Sequence, residues 1–180
     1  MLREAGALLR QERLEILKEK EAQQQQERLE RLIDALDEPE NHDMAIYKIN
    51  QIGIAAVDAL IETLHHDDDV DARYGAARAL GQIMAEQELK ALDKGRTATV
   101  KALIQALADP EVAVRYWATD SLGRCRSKLA ISPLRELLKS SHQGIREAAV
   151  RSLQAIGGKR AEEILTQHQN RKQGWLSRIW

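Results

Sequence analysis

The stretch DPEVAVRYWATDSLGRC at residues 109–125 decides the fold, because the chain carries it more than once. Residues 67–83 read DDDVDARYGAARALGQI, and residues 141–157 read SHQGIREAAVRSLQAIG. The copies share an arginine column (Arg73, Arg115, Arg146) and, seven residues later, a leucine column (Leu80, Leu122, Leu153). A fainter copy, MAIYKINQIG at residues 44–53, places Ile49 in the leucine column.

The spacing of the leucine column gives the repeat length. Steps of 31 residues separate Ile49 from Leu80 and Leu122 from Leu153, whereas 42 residues separate Leu80 from Leu122. The period is therefore 31 residues, and the middle unit carries 11 extra residues (42 less 31), which we place within residues 85–96. Such a period is typical of helical repeat proteins.

Each unit is predicted to contain two helices. Apolar positions of the first helix are spaced by 4, 4 and 3 residues, which draws one stripe down an α-helix. They are Ala72, Ala76, Leu80 and Ile83, then Val114, Ala118, Leu122 and Cys125, then Ile145, Ala149, Leu153 and Ile156. The second helices carry Leu60, Leu103, Leu134 and Leu165 in register. One hairpin cannot bury its stripe alone, so the units must stack. The sequence predicts an all-α fold, a right-handed α-solenoid of about four to five helical hairpins.

Two further columns predict how the helices begin and how they pack. Asp67, Asp109 and Ser140 stand six residues before each arginine, and we predict them to be N-caps of the first helices. Gly81 and Gly123 occupy equivalent positions inside first helices, which suggests a close approach of neighbouring helices.

The strings VRYWATDSLG and ARYGAARALG, with the 31-residue period, resemble HEAT repeats, specifically the short HEAT-like repeats of the phycobilin lyase (PBS lyase) type. The resemblance covers residues 29–170. Proteins with such repeats include subunits of bilin lyases, which attach tetrapyrrole chromophores to phycobiliproteins, factors of phycobilisome turnover, and plain protein-binding scaffolds. The resemblance therefore implies a cyanobacterium-like source without choosing between an enzyme subunit and a scaffold.

The composition narrows the class of protein. The 27 Lys+Arg residues against 28 Asp+Glu residues give a net charge of −1, which argues against nucleic acid as a partner. Hydrophobic residues make up 43% of the chain and phenylalanine is absent, which suits packed helices. The single cysteine excludes an internal disulfide and a Cys-rich metal site. The start, MLREAGALLRQERLEI, has charges where a signal peptide needs an apolar run, so we expect a cytoplasmic protein.

The two ends are predicted to differ from the solenoid at residues 29–170. Residues 2–36 form one long predicted helix, whose part at residues 1–28 is either a solvated extension or a helix that docks or dimerises. The tail at residues 171–180, RKQGWLSRIW, carries Trp175, Leu176, Ile179 and Trp180. These side chains can bind a partner, touch a thylakoid membrane surface peripherally, or fold back over the open end of the last repeat.

We predict that the second helices line the inner face of the solenoid. Their facing columns are Asp58, Lys101 and Ser132, with Glu62, Gln105 and Glu136. This mixture of charges forms no groove of one sign, which again disfavours nucleic acid. We select Asp58, Glu62, Lys101 and Gln105 as candidate partner-binding residues. The insertion is predicted to lengthen a first helix and turn at Asp93, Lys94 and Gly95, as a binding loop or a merely variable one.

No catalytic residue and no metal site is assigned. Cys125 shares its column with Ile83 and Ile156, so we interpret it as a buried core residue. His65 and His66 are adjacent and point about 100° apart on a helix, so they cannot both face one ion.

The arginine column has two interpretations. It can bond the adjacent unit as a structural ladder, but aromatic residues beside it also suit a tetrapyrrole with propionate groups. If bilin is handled, Arg115, Tyr116, Trp117 and Asp120 are the candidate residues. The leading hypothesis is a non-enzymatic scaffold without a cofactor, binding a phycobiliprotein, a photosystem or a second HEAT-like subunit. The alternative is one subunit of a bilin lyase or isomerase.

Overall fold

The computed structural model describes residues 2–38, 40–86 and 93–176, with the side chains of residues 11–38, 40–86, 95–171 and 173. In this part of the chain the secondary structure is helical throughout. The α-helices are α1 (Leu2–Asp34), α2 (His42–Ile52), α3 (Val57–His66), α4 (Val70–Glu86), α5 (Asp93–Ala106), α6 (Val112–Cys125), α7 (Ile131–Leu137), α8 (Gln143–Ile156) and α9 (Lys159–Leu176). Short 3-10 turns precede α3 and α7.

The helices alternate between two layers, and the predicted all-α solenoid is confirmed. The first helices α2, α4, α6 and α8 pack in that order, and each contacts the second helix that follows or precedes it. The predicted stripe is buried in every first helix, with Leu80, Leu122 and Leu153 fully buried. Only Ile156, at the end of α8, is partly exposed among the stripe residues. The core is one continuous cluster from Leu29 to Ile164.

The first helices approach one another at glycine, as predicted. A Cβ atom built on Gly81 would lie 2.9 Å from the Cα atom of Ser121, and one on Gly123 would lie 2.7 Å from the Cα atom of Ser152. Each serine hydroxyl donates to a carbonyl of the preceding first helix, Ser121 Oγ to Ala77 O at 2.8 Å and Ser152 Oγ to Thr119 O at 2.8 Å. The buried hydroxyls are thereby satisfied in a contact that admits no side chain.

This close packing reverses the predicted inner face. Helices α4, α6 and α8 pack against each other along much of their length, whereas successive second helices touch over short stretches. Neighbouring helices are closer on the inside of a bend than on the outside, so the first helices form the inner face. The prediction that the second helices line it is wrong. Asp58, Glu62, Lys101 and Gln105 are exposed on α3 and α5, in the outer layer.

The arginine column builds the turn that precedes each first helix. Nη1 of each arginine donates to two backbone carbonyls in that turn: Arg73 to Asp67 O and Asp68 O at 3.0 and 3.1 Å, Arg115 to Asp109 O and Pro110 O at 2.6 and 2.7 Å, and Arg146 to Ser140 O and Ser141 O at 2.7 and 2.9 Å. The predicted ladder to the adjacent unit is therefore present only in part, because these carbonyls belong to the turn before the arginine's own helix. Charged donors hold these carbonyls where no helical N–H group reaches them.

The predicted N-caps are two residues too early. Asp109 Oδ1 accepts the backbone N–H of Glu111 at 2.8 Å, and Glu111 is the residue that directly precedes α6, so Asp109 forms an Asx turn rather than a cap. In α4 the capping side chain is Asp69, which accepts the N–H groups of Asp71 and Ala72 at 2.7 and 3.1 Å. In the turn before α6, the Asp109 carboxylate bonds a backbone N–H group of the loop, and Arg115 binds a carbonyl of the same loop.

Asp109 also joins two repeat units. Its equivalent in the next unit, Ser140, has no carboxylate and cannot form such an ion pair. Arg73 Nε and Nη2 donate to the two Asp109 carboxylate oxygens at 2.9 and 3.3 Å. At the next interface the residue equivalent to Asp109 is Ser140, and Arg115 makes no ion pair within the described residues. The units that begin with α6 and α8 therefore lack the connecting carboxylate that is present between the units that begin with α4 and α6.

We expect Ser140→Asp to raise the free energy of unfolding by about 1 kcal/mol, because Arg115 gains a charged acceptor. Urea denaturation followed by circular dichroism measures the change. Ser141→Asp is the matched control: it adds the same charge one residue away and should leave the midpoint unchanged. Equal shifts in both variants would contradict the assignment.

The insertion differs from its prediction in one respect. Helix α4 is longer than α6 and α8, with 17 residues against 14 in each, as predicted. Asp93, Lys94 and Gly95 do not form a turn, however, because α5 begins at Asp93. Residues 87–92 of the insertion lie outside the described residues.

One apolar segment, His42–His66, is long enough and apolar enough to cross a membrane by length and composition alone. It is divided between α2 and α3 by a 3-10 turn that starts at Gly53, which has φ +71°. Ile49 and Leu60 are fully buried in the core, whereas Met44 and Tyr47 are exposed on the surface of the solenoid. The segment is therefore a pair of core helices of the solenoid.

Candidate binding surface on the inner face

The exposed residues of the first helices form one surface, which we call the inner strip. They lie two and six residues before the leucine column, so they face away from the core stripe. The positions two residues before it are Tyr47, Arg78, Asp120 and Arg151, and those six residues before it are Asp43, Tyr74, Tyr116 and Glu147. Met44 and Trp117 adjoin the second set.

Arg78 links three units of the inner strip. Its Nη1 atom donates to Asp43 Oδ1 at 2.6 Å, and its guanidinium lies 5.0 Å from the centre of the Trp117 ring. A cation over an indole face is attracted by the ring quadrupole. Arg78 therefore holds Trp117 in place while its own charge is largely compensated.

The aromatic pair at the centre of the strip has a fixed geometry. Tyr116 and Trp117 pack edge to face, with ring centres 5.4 Å apart and an interplanar angle of 84°. Arg151 Nη2 donates to Tyr116 Oη at 3.2 Å. Beside the pair is an open hollow of about 530 Å³ between the N-terminal turns of α6 and α8, with Val112, Ala113 and Ile145 in its lining. The hollow offers an apolar recess with an aromatic wall.

The structure brings three of the four candidate bilin residues to the inner strip. Tyr116, Trp117 and Asp120 lie on it and are partly exposed. Arg115 does not join them, because its Nη1 atom is bound to the carbonyls of Asp109 and Pro110. Arg151, which sequence reasoning did not select, stands beside Tyr116 instead.

Inner-strip residues at α2 are strongly exposed. Tyr47 keeps 59% and Met44 keeps 54% of its surface accessible. The two residues are three apart on one helix, so their exposed side chains are neighbours. Sequence reasoning missed them because it assigned the inner face to the wrong layer. The small residues Gly81 and Gly123 were the signal that could have corrected it.

The remaining predicted partner-binding residues belong to the tail. Helix α9 continues to Leu176, so the first part of the tail is helical. The side chains of Trp175 and Leu176, and residues Ile179 and Trp180 as a whole, lie outside what the structure describes. The predictions for these residues stay predictions.

Cys125 is a core residue with no access to solvent. Burial raises the pKa of its thiol from 9.0 to about 12, although the nearby charge of Arg96 works in the opposite direction. The interpretation of Cys125 as a structural residue agrees with this burial, since a protonated, inaccessible thiol is a poor nucleophile.

We expect Cys125 in the folded protein to resist 5,5′-dithiobis(2-nitrobenzoate) at pH 8 and to react fully in 6 M guanidinium (roughly the condition that unfolds most domains). Because the folded pKa is the higher one, stability is retained below pH 9 and falls as the pH rises from 9 towards 12. A Cys125→Ala variant is the control for the pH effect. Fast labelling of the folded protein would contradict the burial.

The histidine pair ends α3. The pKa of His65 is lowered, first by burial and second by the neighbouring His66. Among the described residues there is no group of three or more His, Cys, Asp or Glu side chains that could hold a metal ion.

The fold defines a helical-repeat solenoid. Its repeats match known families: residues 72–109 match the PBS lyase HEAT-like repeat, and residues 100–180 match HEAT repeats. These matches confirm the resemblance over residues 72–170.

Solved structures show the same architecture. Two engineered proteins from the Northeast Structural Genomics Consortium each superpose with a TM-score of 0.50. One is 21% identical, with 78% of this chain and 68% of that chain covered, and the other is 23% identical, with 81% and 37% covered. A designed armadillo repeat protein in complex with the peptide (KR)4 has a TM-score of 0.47 and 19% identity, covering 78% of this chain and 70% of that one. No curated protein matches the chain.

Proposed function

We propose that the chain is a non-enzymatic scaffold that binds a protein partner along the inner strip. The observation that carries the proposal is the exposed aromatic and charged surface of the first helices, from Tyr47 to Arg151. HEAT-type solenoids use extended concave surfaces for binding. Aromatic and arginine side chains, which dominate such interfaces, are concentrated on this one.

For the partner we propose a component of the phycobilisome or the photosynthetic machinery, such as a phycobiliprotein, a photosystem or a second HEAT-like subunit. The support is the PBS lyase type of the repeat at residues 72–109. The protein would then act in the cytoplasm of a cyanobacterium-like cell, or at the thylakoid surface if the tail at residues 171–180 makes a peripheral contact.

Capture from cells of the native organism tests the scaffold role. A tagged chain is compared with Tyr47→Glu and Met44→Glu, which place a charge on exposed positions of the inner strip. Leu129→Glu is the matched control, since Leu129 is also 59% exposed but precedes α7 in the outer layer. Lys101→Glu tests the prediction that Lys101, which lies in the outer layer, binds the partner. Mass spectrometry should find the partner with both control variants and lose it with both inner-strip variants. Retention by the inner-strip variants would overturn the proposal.

A second candidate function is that of a bilin lyase or isomerase subunit. The edge-to-face Tyr116–Trp117 pair, with Arg78 and Arg151 beside it, offers an aromatic wall and cations to a conjugated ligand with propionate groups. Titration with phycocyanobilin should shift the visible absorbance of the pigment in the wild type and less in Trp117→Leu. An unchanged spectrum, alone and with a second HEAT-like chain, would exclude this function.

A further inference from the structure

Four arginines surround a groove that crosses the ends of three first helices. The groove has a volume of about 580 Å³ and is open to solvent along one side. Arg96 comes from α5, Arg124 and Arg126 from the end of α6, and Arg151 from α8. Asp120 is the one carboxylate in the lining described. The groove therefore carries an excess of three positive charges (four less one) in a protein whose net charge is −1.

The protein compensates only part of this charge. Arg124 Nε donates to Asp120 Oδ2 at 2.9 Å, and Arg151 Nη2 donates to the uncharged Tyr116 hydroxyl. Within the described residues, the buried Nε atom of Arg96 has no hydrogen-bond partner and Arg126 makes no ion pair. An unpaired buried donor of a charged group costs free energy unless an acceptor reaches it.

The helix dipole favours a positive charge at the positions of some of these arginines but not at all of them. Arg124 and Arg126 lie at the C-terminus of α6, where a positive charge is favourable. Arg96 lies in the first turn of α5, where the dipole opposes a positive charge. Its position is therefore unfavourable for the isolated chain, and an external anion in the groove would compensate it.

We propose that this arginine groove binds an acidic, extended segment of the protein partner; the inference rests on the proposed scaffold function. The lining comes from three successive units, through Met84, Arg124 and Ala155, so an occupant lying along the groove follows the stack. Neighbouring helices are about 9 Å apart, and an extended polyproline II chain has three residues per turn and rises about 3.1 Å per residue, so about every third side chain faces the next unit. Carboxylates at that spacing meet successive arginines, while the apolar lining accepts small side chains between them.

The groove favours a peptide over a nucleic acid. Its described lining contains no aromatic side chain on which a base could stack. Arginine forks bind carboxylates with paired hydrogen bonds, which suits discrete acidic side chains. Met84, Ala85 and Ala155 supply apolar contacts that a phosphate backbone cannot use.

The test uses a fluorescein-labelled peptide of three Glu-Pro-Ala units, whose prolines favour a polyproline II chain with the glutamates on one side. Anisotropy is measured at low and high sodium chloride concentration, with a Gln-Pro-Ala peptide of equal length as control. The glutamate peptide should bind and weaken with salt, and the glutamine peptide should not bind. Arg126→Gln and Arg151→Gln should each weaken binding roughly tenfold. Arg135→Gln, which removes an exposed arginine of α7 in the outer layer, should have no effect.

Three outcomes would overturn the inference: equal binding of the two peptides, equal binding by wild type and both groove variants, or tighter binding of an oligothymidylate than of the glutamate peptide. The capture experiment separates this inference from the scaffold function. A partner lost with Tyr47→Glu but kept with Arg126→Gln would leave the scaffold proposal standing and refute the acidic occupant. Loss with neither variant would refute the scaffold.

Discussion

Gly123→Ala is expected to lower the free energy of unfolding by about 3 kcal/mol. The added Cβ atom would lie 2.7 Å from the Cα atom of Ser152, which is backbone and cannot rotate away. Helices α6 and α8 must therefore separate, and the hydrogen bond from Ser152 Oγ to Thr119 O lengthens or breaks. The higher helix propensity of alanine returns only about 1 kcal/mol. Urea denaturation measures the loss.

Gly144→Ala is the matched control for this prediction. Gly144 also belongs to a first helix, but its added Cβ atom would meet Tyr116 Cδ2 at an ordinary 3.8 Å. We expect no loss of stability there, and a small gain from helix propensity. Gly81→Ala should behave like Gly123→Ala, because Ser121 Cα lies 2.9 Å from its added atom. Similar midpoints for the three variants would show that the close approach is not what the glycines provide.

Asp109→Ala is expected to cost about 2–3 kcal/mol. The Asp109 side chain is 8% exposed and the Arg73 side chain 11%, so the substitution leaves a largely buried guanidinium without its charged partner. The hydrogen bond that Arg73 donates to Asp109 is also the main reason that the pKa of Arg73 is raised. In addition, the turn before α6 loses the acceptor for the Glu111 N–H group.

The control for Asp109→Ala is Glu136→Gln. Glu136 also accepts hydrogen bonds from an arginine, but that pair is half exposed on α7 and solvent screens it. We expect no measurable change in the urea midpoint for this variant. The urea midpoint of Asp109→Asn should lie between those of Asp109→Ala and Glu136→Gln, because the amide oxygen can still accept from the Glu111 N–H group. A midpoint for Asp109→Ala equal to that of the control would mean that the pair does not couple the units.

The helical hairpins could be predicted because a buried stripe imposes a period that survives in a single sequence. Leu122 and Ala118 are buried for the same reason that they recur, and Cys125 followed from its column. The inner face could not be read from the same pattern, since both layers present polar residues outward. It depends on which helices approach more closely, and that is a property of pairs such as Gly123 and Ser152.

The candidate site was likewise predictable from the sequence only in part. Tyr116 and Trp117 were recognised because aromatic residues are rare in this chain, and they do lie on the inner strip. Arg115 was chosen with them by adjacency in sequence, but adjacent helical residues point about 100° apart. Its guanidinium turns back to the preceding loop, and Arg151 of the next unit takes the place beside Tyr116. Neighbours across helices could not be known before the stacking was known.

The ion pair between Arg73 and Asp109 occurs at one junction of the array, and this has a consequence for how the molecule opens. In a repeat protein each unit is stabilised mainly by its neighbours, so local opening begins at the weakest junction. Among the described residues, the α4–α6 junction has the glycine contact and the Arg73–Asp109 ion pair, whereas the α6–α8 junction has the glycine contact and the Arg151–Tyr116 hydrogen bond but no ion pair. Amide hydrogens of α8 and α9 should therefore exchange with solvent before those of α4 and α6. The C-terminal units would open and close as a flap on a rigid centre, and the arginine groove, which takes Arg151 from α8, would widen each time they did.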